Sequence, residues 1–260
     1  MTKKRDKVMA HHKKAIGTVY LTGAGPGDIE LLTVKALRVI RRADVIVYDR
    51  LVNPEILREA KEGCELIYVG KADGKHTLPQ EEINALLYEK ALECETVVRL
   101  KGGDPTVFGR GGEEALFLRE KGVPFVFIPG VTSAVAVPES VGIPVTHRGV
   151  ADAFCVVTGH SAKGASRPIA WERYTGDATV VFLMGLHNLT TIVTNLTAAG
   201  RPHDTPAAVI SKGTMADART VVGTLDDIVE KSQGLPTPAL IIVGEVVRMH
   251  RVLGNESDVL

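Results

Sequence analysis

The fold of this chain is decided by two glycine-rich stretches, Leu21-Thr-Gly-Ala-Gly-Pro-Gly-Asp28 and Val98-Arg-Leu-Lys-Gly-Gly-Asp-Pro-Thr-Val-Phe-Gly109. Each stretch follows a run rich in β-branched residues and precedes a helical pattern, so each is predicted to be a loop at the carboxyl end of a strand. Ligands of open α/β sheets bind at that edge. Two such loops on one sheet predict a single small molecule large enough to span both.

Strands and helices alternate along the first half of the chain, which predicts a mostly parallel sheet with right-handed crossovers. The predicted strands cover residues 19–22, 44–48, 65–69, 97–100 and 125–128. Asp28 is predicted to cap one continuous helix that ends near Arg42. Thr77-Leu-Pro-Gln80 has a capping-box pattern, which predicts a helix over 81–92, and Gly122 is predicted to end a helix over 112–121.

The pattern changes after Pro129, where Pro138, Gly142 and Pro144 interrupt the chain. A second set of elements begins near residue 150. Its predicted strands cover residues 154–158, 179–184, 207–211, 220–223 and 239–243, and its helices cover 189–199 and 225–231. We therefore expect an α/β protein of two α/β domains, 16–133 and 134–250, with the active site in the cleft between them. Residues 1–15 are expected to be a disordered basic tail and 251–260 a second tail.

Composition excludes several classes of protein. Aromatic residues make up only 5% of the 260 residues, which argues against a stacking platform for single-stranded nucleic acid. The net charge is zero, yet residues 1–14 carry six Lys or Arg against one Asp, so the remainder is acidic and no nucleic-acid partner is expected. No apolar run approaches the roughly 20 residues that cross a bilayer. Three widely separated cysteines are typical of reduced thiols in a cytoplasmic protein.

The first glycine loop alone leaves several interpretations open. Gly23-Ala-Gly-Pro-Gly27 suggests dinucleotide binding, with Asp49 as the carboxylate that would contact a ribose. Asp28 stands where the third glycine of that motif belongs, and Pro26 stiffens a loop that should present amides to phosphate. A tight turn that binds no ligand is an alternative interpretation of the same residues.

Charged residues gather at the predicted strand ends. Asp49, Lys71, Arg99 and Lys101 all lie at or just beyond such an end, which favours an anionic substrate as much as it favours solvated loop charges. The histidines show neither i,i+4 pairing nor a cysteine companion, so no metal site is expected. By its pattern alone, Met184 at a strand end is predicted to be a core residue.

Taken together, the two glycine stretches and Ile128-Pro-Gly130 resemble the two signatures of the tetrapyrrole methylase family. Four further segments resemble the branch of that family that methylates uroporphyrinogen III. These are Val47-Tyr-Asp-Arg-Leu-Val52, Val69-Gly-Lys71, His76-Thr-Leu-Pro-Gln-Glu-Glu-Ile-Asn84 and Gly142-Ile-Pro-Val-Thr-His-Arg148. The resemblance covers residues 16–250, and the length of the chain is expected to leave no room for the dehydrogenase–ferrochelatase module that is fused to some relatives.

The resemblance implies a C-methyltransferase that uses S-adenosyl-L-methionine and releases S-adenosyl-L-homocysteine, without a metal. Two successive methylations would convert uroporphyrinogen III to precorrin-2 on the route to siroheme or cobalamin. Asp49 is implied as the base, Lys71 as a proton donor and Arg99 as a residue that contacts substrate or stabilises charge. The implied cosubstrate contacts are Pro26, Gly102, Gly103, Asp104, Val107, Thr132, Ser133, Met184, Gly213, Pro238 and Ala239. A homodimer with a small-molecule tetrapyrrole substrate is also implied, with no membrane partner.

Three other functions compete with this interpretation. A methylase of a later corrinoid would share most of the motifs, although Asp49 and its flanking residues argue against it. An NAD(P)-dependent oxidoreductase would need the amides of the Gly23 loop to contact a pyrophosphate. A non-catalytic tetrapyrrole-binding protein would not need an intact Gly102-Gly-Asp104 loop.

Overall fold

A computed structural model describes residues 15–70, 78–159 and 168–254, which contain two five-stranded sheets. The strands are β1 Thr18–Gly23, β2 Val45–Tyr48, β3 Glu65–Tyr68, β4 Thr96–Lys101, β5 Phe125–Ile128, β6 Phe154–Thr158, β7 Thr179–Leu183, β8 Pro206–Ser211, β9 Arg219–Thr224 and β10 Ala239–Val243. The α-helices are α1 Val34–Ile40, α2 Pro54–Leu57, α3 Gln80–Glu93, α4 Gly111–Glu120, α5 Ser133–Ser140, α6 Leu189–Ala198, α7 Ile228–Lys231 and α8 His250–Leu253. Short 3₁₀ helices cover Ile29–Leu31, Trp171–Tyr174, Leu186–Asn188 and Glu245–Met249. Residues 1–14 of the predicted basic tail lie outside the described residues.

The first sheet has the strand order β3-β2-β4-β1-β5, and all of its pairs are parallel, as predicted. Its inner strands are continuous apolar runs, for example Val45, Ile46 and Val47, which are fully buried because helices cover both faces of the sheet. The register places Gly23 of β1 beside Lys101 of β4. The loops that follow these strands therefore leave the sheet at the same edge.

The second sheet has the order β6-β7-β10-β8-β9 and is mixed, which the sequence did not predict. Only β6 and β7 pair in parallel, while β10 runs antiparallel to both of its neighbours and β8–β9 is an antiparallel pair. The α/β class itself is confirmed. In the register, Leu183 pairs with Leu240, and Ala239 pairs with Ser211. The end of β7, the start of β10 and the end of β8 thus share one edge.

Two helix predictions were wrong in detail. Asp28 caps only the 3₁₀ turn Ile29–Leu31, and α1 begins separately after Thr33, whose side chain accepts a hydrogen bond from the Ala36 amide. The predicted helix over 81–92 is confirmed as α3, Gln80–Glu93, but its N-cap is Pro79, without a side-chain cap hydrogen bond, and not the first residue of the capping-box pattern. Thr77, the first residue of that pattern, lies outside the described residues.

Helix α5 was not predicted at all, because Pro138 within it reads as an interruption. Thr132 caps α5 by accepting a hydrogen bond from the Ala134 amide at 3.3 Å. The helix buries Ala134 and Val137 in the core of the second sheet. Its N-terminus, which follows the first sheet's last strand, therefore carries the chain from one sheet to the other. None of the helices in the described ranges combines the length and apolar character needed to cross a bilayer.

Asp44 fastens the edge of the first sheet opposite the glycine loops. Its Oδ1 accepts a 2.6 Å hydrogen bond from Lys61 Nζ, and its Oδ2 accepts bonds from the amides of Glu95 at 3.1 Å and Thr96 at 2.8 Å. The hydrogen bond from Lys61, and after it the Thr96 amide, lowers the pKa of the Asp44 carboxyl. The ionised carboxylate therefore stabilises the fold.

We expect Asp44→Asn to lower the Tm at pH 7. Because the pKa of Asp44 is depressed in the folded state, its contribution is present above the ordinary aspartate pKa of about 4 and is lost as the pH falls through the lowered value. Thermal unfolding of both proteins from pH 7 to about pH 2 should show the Tm difference closing in acid. Asp226→Asn, which removes an exposed carboxylate, is the control, and a Tm difference that stays constant with pH would contradict the prediction.

Candidate active site

Three loops of the first sheet meet through contacts that only glycine allows. Gly25 and Gly103 exchange backbone hydrogen bonds of 3.2 Å and 2.7 Å. A Cβ placed on Gly23 would lie 2.5 Å from the Cα of Gly130, so these backbones touch directly. Asp104 Oδ2 accepts a 3.1 Å hydrogen bond from the Gly130 amide, which fastens the second loop to the third. The loops after β1, β4 and β5 therefore form one rigid floor.

Gly103 leaves one side of this floor open. Its φ of +68° lies in the left-handed region, which favours glycine. A Cβ placed there would meet only the Ser133 amide nitrogen, at 3.9 Å, among the residues that the structure describes. The open side of Gly103 thus faces the first turn of α5, where backbone N–H groups point outward.

The second sheet supplies the opposite wall. A Cβ on Gly213 would lie 2.2 Å from Val137 Cγ1, so the loop after β8 packs closely against α5. The same loop reaches the first sheet, because the Asp28 amide donates to Thr214 Oγ1 at 3.3 Å. Met215 Sδ would lie 2.7 Å from a Cβ on Gly27, a second contact across the gap. A cleft between the two sheets is the result.

Met184 lies at the edge of this second wall and is not a core residue. It follows the last residue of β7, has a φ of +58° and is 54% exposed. A non-glycine residue in the left-handed region is a strained position, and such strain is common at ligand sites. The pattern-based expectation of burial was therefore wrong.

The implied cosubstrate contacts are distributed over both walls. On the first sheet's side are Pro26, Gly102, Gly103, Asp104, Val107, Thr132 and Ser133, and on the second sheet's side are Met184, Gly213, Pro238 and Ala239. The Lys212 amide donates to the Pro238 carbonyl at 2.8 Å, which brings Gly213 and Ala239 to the same edge. Their role in binding stays a prediction.

S-adenosylmethionine suits this cleft on geometric grounds. The bare backbone of Gly103 opposite the first turn of α5 gives a polar ligand hydrogen-bonding groups without side-chain obstruction. Within residues 15–70, 78–159 and 168–254, no group of three or more His, Cys, Asp or Glu side chains is arranged so that it could hold a metal ion.

Beneath the floor lies a buried cluster of charges centred on Glu114. Glu114 is fully buried, and its Oε1 accepts hydrogen bonds from Arg99 Nε at 3.1 Å and Lys101 Nζ at 2.9 Å. Burial, followed by the nearby Arg99 charge, lowers the pKa of Lys101. Sequence reasoning missed Glu114, since a glutamate in a helix is usually solvated. Its spacing with Gly111, Ala115 and Leu118 on one buried face of α4 was the available signal.

Asp49 lies at the mouth of this cluster. Its side chain is 28% exposed, and its Oδ2 is 3.4 Å from Nη2 of Arg99. Arg99, by contrast, is only 4% exposed and contacts Asp49 and the cluster. Its implied role in contacting substrate or stabilising charge stays a prediction. Leu51, two residues after Asp49, packs on Gly102, where a Cβ would lie 2.6 Å from its own Cβ. The carboxylate is thereby placed beside the glycine floor, while Lys71 lies outside the described residues.

These features define a class of protein in which two α/β units enclose a ligand cleft floored by glycine loops. Residues 18–229 match the family model for tetrapyrrole (corrin/porphyrin) methylases. The chain therefore belongs to the tetrapyrrole methylase family.

Individual relatives and solved structures show which members of the family this chain is similar to. The chain is 53% identical over 237 residues to uroporphyrinogen-III C-methyltransferase of Methanocaldococcus jannaschii, covering 90% of this chain and 98% of that protein. A crystal structure of uroporphyrin-III C-methyl transferase from Thermus thermophilus with S-adenyl homocysteine matches with a TM-score of 0.78 and 44% identity, covering 89% of this chain and 99% of that one. A cobalt precorrin-4 methyltransferase has the same TM-score of 0.78 but only 27% identity, covering 88% and 95%.

Proposed function

We propose that this protein is an S-adenosyl-L-methionine-dependent C-methyltransferase that converts uroporphyrinogen III to precorrin-2 by two successive methylations. The observation that carries the proposal is the juxtaposition of the open Gly103 backbone and the Asp49 carboxylate at one edge of one sheet. The family and the identity to enzymes with this activity support it.

The chain's own residues supply alignment and charge placement. The floor at Gly103 and the wall at Gly213 hold a bound cosubstrate in a fixed direction, which converts a bimolecular encounter into an aligned one. S-adenosylmethionine, when bound, supplies an electrophilic methyl group on a sulfonium. The attack of an electron-rich pyrrole carbon would leave a proton to be removed, and we assign its removal to Asp49, whose carboxylate is partly exposed. Lys71 is retained as a proposed proton donor.

Dinucleotide binding is the less favoured alternative, because three amides of the first loop already donate hydrogen bonds within the protein. The Ala24 amide donates to the Lys101 carbonyl at 2.7 Å, and the Gly25 amide donates to the Gly103 carbonyl at 3.2 Å. The Asp28 amide donates to Thr214. A pyrophosphate would need these donors free, as in the glycine-rich turns that bind it.

The proposal extends to assembly and location. A homodimer would cover apolar side chains that are exposed on the two edge strands of the first sheet, such as Leu66 on β3 and Phe127 on β5. All three cysteines lie within the described residues and none forms a disulfide, as is usual in the reducing cytoplasm, where the protein is proposed to act on its tetrapyrrole. Analytical ultracentrifugation at micromolar concentration tests the dimer.

The proposed reaction predicts a definite stoichiometry. Anaerobic incubation with uroporphyrinogen III should consume two S-adenosylmethionine molecules per tetrapyrrole and add two methyl groups, with no change in nicotinamide absorbance when NADP is present. Mass spectrometry of the product is the measurement. A single added methyl, or a corrinoid preferred over uroporphyrinogen III, would assign the chain to a neighbouring methylase, and NADP turnover without methylation would contradict the proposal entirely.

A further inference from the structure

We infer that Glu114 is a positioning residue, which acts on the reaction through Arg99 and Asp49 without touching the substrate. This inference rests on the proposed function, in which Asp49 accepts the proton. Its structural basis is the hydrogen-bond arrangement around one carboxylate oxygen of Glu114.

A single oxygen accepts hydrogen bonds from three donors on two other elements of the fold. Glu114 Oε1, on α4, accepts from Arg99 and Lys101 of β4, and also from Gln80 Nε2 of α3 at 3.3 Å. Gln80 is itself held by Asn84, whose Oδ1 accepts from the same nitrogen at 3.0 Å. Gln80 and Asn84 belong to the segment His76–Asn84, in which the sequence resembles the methylases of uroporphyrinogen III. The structure shows that both residues belong to this cluster. The arrangement fixes Glu114 from several directions.

Arg99 is left with no freedom to rotate. Nε donates to Glu114, while Nη1 donates to the carbonyls of Val47 at 3.3 Å and Leu100 at 3.1 Å. The remaining nitrogen, Nη2, points at Asp49 Oδ2 at 3.4 Å. Because the planar guanidinium moves as a unit, the bond to Glu114 sets the direction in which Nη2 meets Asp49.

Glu114 also balances the positive charges of Arg99 and Lys101. Arg99 and Lys101 point to the same side of β4 and are 4% and 5% exposed in their side chains, so their positive charges repel each other in a poorly solvated place. Glu114 lies between them and neutralises part of that charge. Its second oxygen, Oε2, is buried and has no hydrogen-bond partner in the ranges that the structure covers. Buried polar atoms are usually hydrogen-bonded, so an unpartnered oxygen here calls for an explanation, and the charge balance of Arg99 and Lys101 supplies one.

The test is a double-mutant cycle between Glu114→Gln and Asp49→Asn. Glutamine keeps an oxygen acceptor in the same place and removes only the charge, so the protein should fold. The single variant Glu114→Gln should lower kcat by about 100-fold, the scale of a 1 Å misplacement of a reacting group, with KM for uroporphyrinogen III little changed. In the Asp49→Asn background the same substitution should change kcat by less than about threefold, because residues that act as one unit are not additive.

Arg201→Lys is the matched control for damage to the fold. Arg201 is also a buried cation, 4% exposed, but it binds the carbonyls of Tyr174 and Gly176 near the start of β7, at the edge of the second sheet away from the cleft. It should lower the Tm and leave kcat unchanged. If Glu114→Gln fails to fold, Glu114→Asp, which keeps the charge and shortens the reach, replaces it in the same cycle.

The outcomes separate the two claims. An active wild-type enzyme in which Glu114→Gln leaves kcat unchanged, or lowers it by the same factor in both backgrounds, would overturn the positioning role. A wild-type protein that methylates no tetrapyrrole would instead overturn the proposed function.

Discussion

Asp49→Asn is expected to lower kcat by about 10²–10⁴-fold, the usual contribution of a positioned general base. Asparagine keeps the size of the side chain and the contact with Arg99 but has far less affinity for a proton. Asp49 makes no contact with the open side of Gly103, so the affinity for S-adenosylhomocysteine should change by less than about threefold, equal to roughly 0.6 kcal/mol.

Single-turnover methyl transfer and calorimetry with S-adenosylhomocysteine are the two measurements. Asp226→Asn, which lies on the surface beside His203, serves as the control and should leave both quantities unchanged. A near-normal rate for Asp49→Asn in a folded, ligand-binding protein would remove Asp49 from the mechanism.

Gly103→Val is expected to weaken the binding of S-adenosylhomocysteine by roughly 100-fold. The valine side chain would enter the open space between Gly103 and the Ser133 amide, where the ligand is proposed to lie. The loss of about 3 kcal/mol of contacts corresponds to roughly 100-fold weaker binding. The measurement is isothermal calorimetry, with thermal unfolding to verify that the variant is folded.

Gly122→Val offers a closely matched control. Gly122 has a φ of +69°, against +68° for Gly103, and a Cβ placed on it meets nothing within 4 Å. Both substitutions therefore carry the same backbone strain, but Gly122 lies at the end of α4 and not in the cleft. Equal affinities for Gly103→Val and wild type would place the cosubstrate elsewhere, and an equal loss in both variants would attribute the effect to strain.

The sequence was sufficient to predict the first sheet and the edge that carries the site. Glycines after β1 and β4 and a run of buried β-branched residues between turn signals are local patterns, and parallel sheets are built from such runs. The end of β2 just before Asp49 followed from the same pattern, whereas β4 extends to Lys101 and places Arg99 inside the strand. The direction of strands in the second sheet could not be predicted, because a short apolar run such as 239–243 does not reveal how its neighbours will pair.

The buried charges of the candidate site could not be predicted, for a different reason. Glu114 and Lys101 are charged residues that the fold buries against each other, and a sequence does not show which charges will find a partner over a long range. Met184 was misjudged for the reverse reason, since an apolar residue after a strand is usually buried. Helix α5 was missed because a proline usually ends or kinks a helix. Pro138 is tolerated here because, in a helix of eight residues, it removes only one backbone hydrogen bond.

The bridge from the loop after β8 to the first sheet has a consequence for turnover. A reaction of two rounds on one tetrapyrrole must discharge a spent cosubstrate and admit a fresh one midway. The bridge consists of the 3.3 Å hydrogen bond from Asp28 to Thr214 and the contact of Met215 with Gly27. A hydrogen bond of this kind contributes about 1 kcal/mol, a small fraction of the roughly 5–15 kcal/mol that stabilises a whole domain. Breaking these two contacts is thus a far smaller event than unfolding either sheet, and the hydrogen bonds that shape the floor at Gly103 do not depend on them.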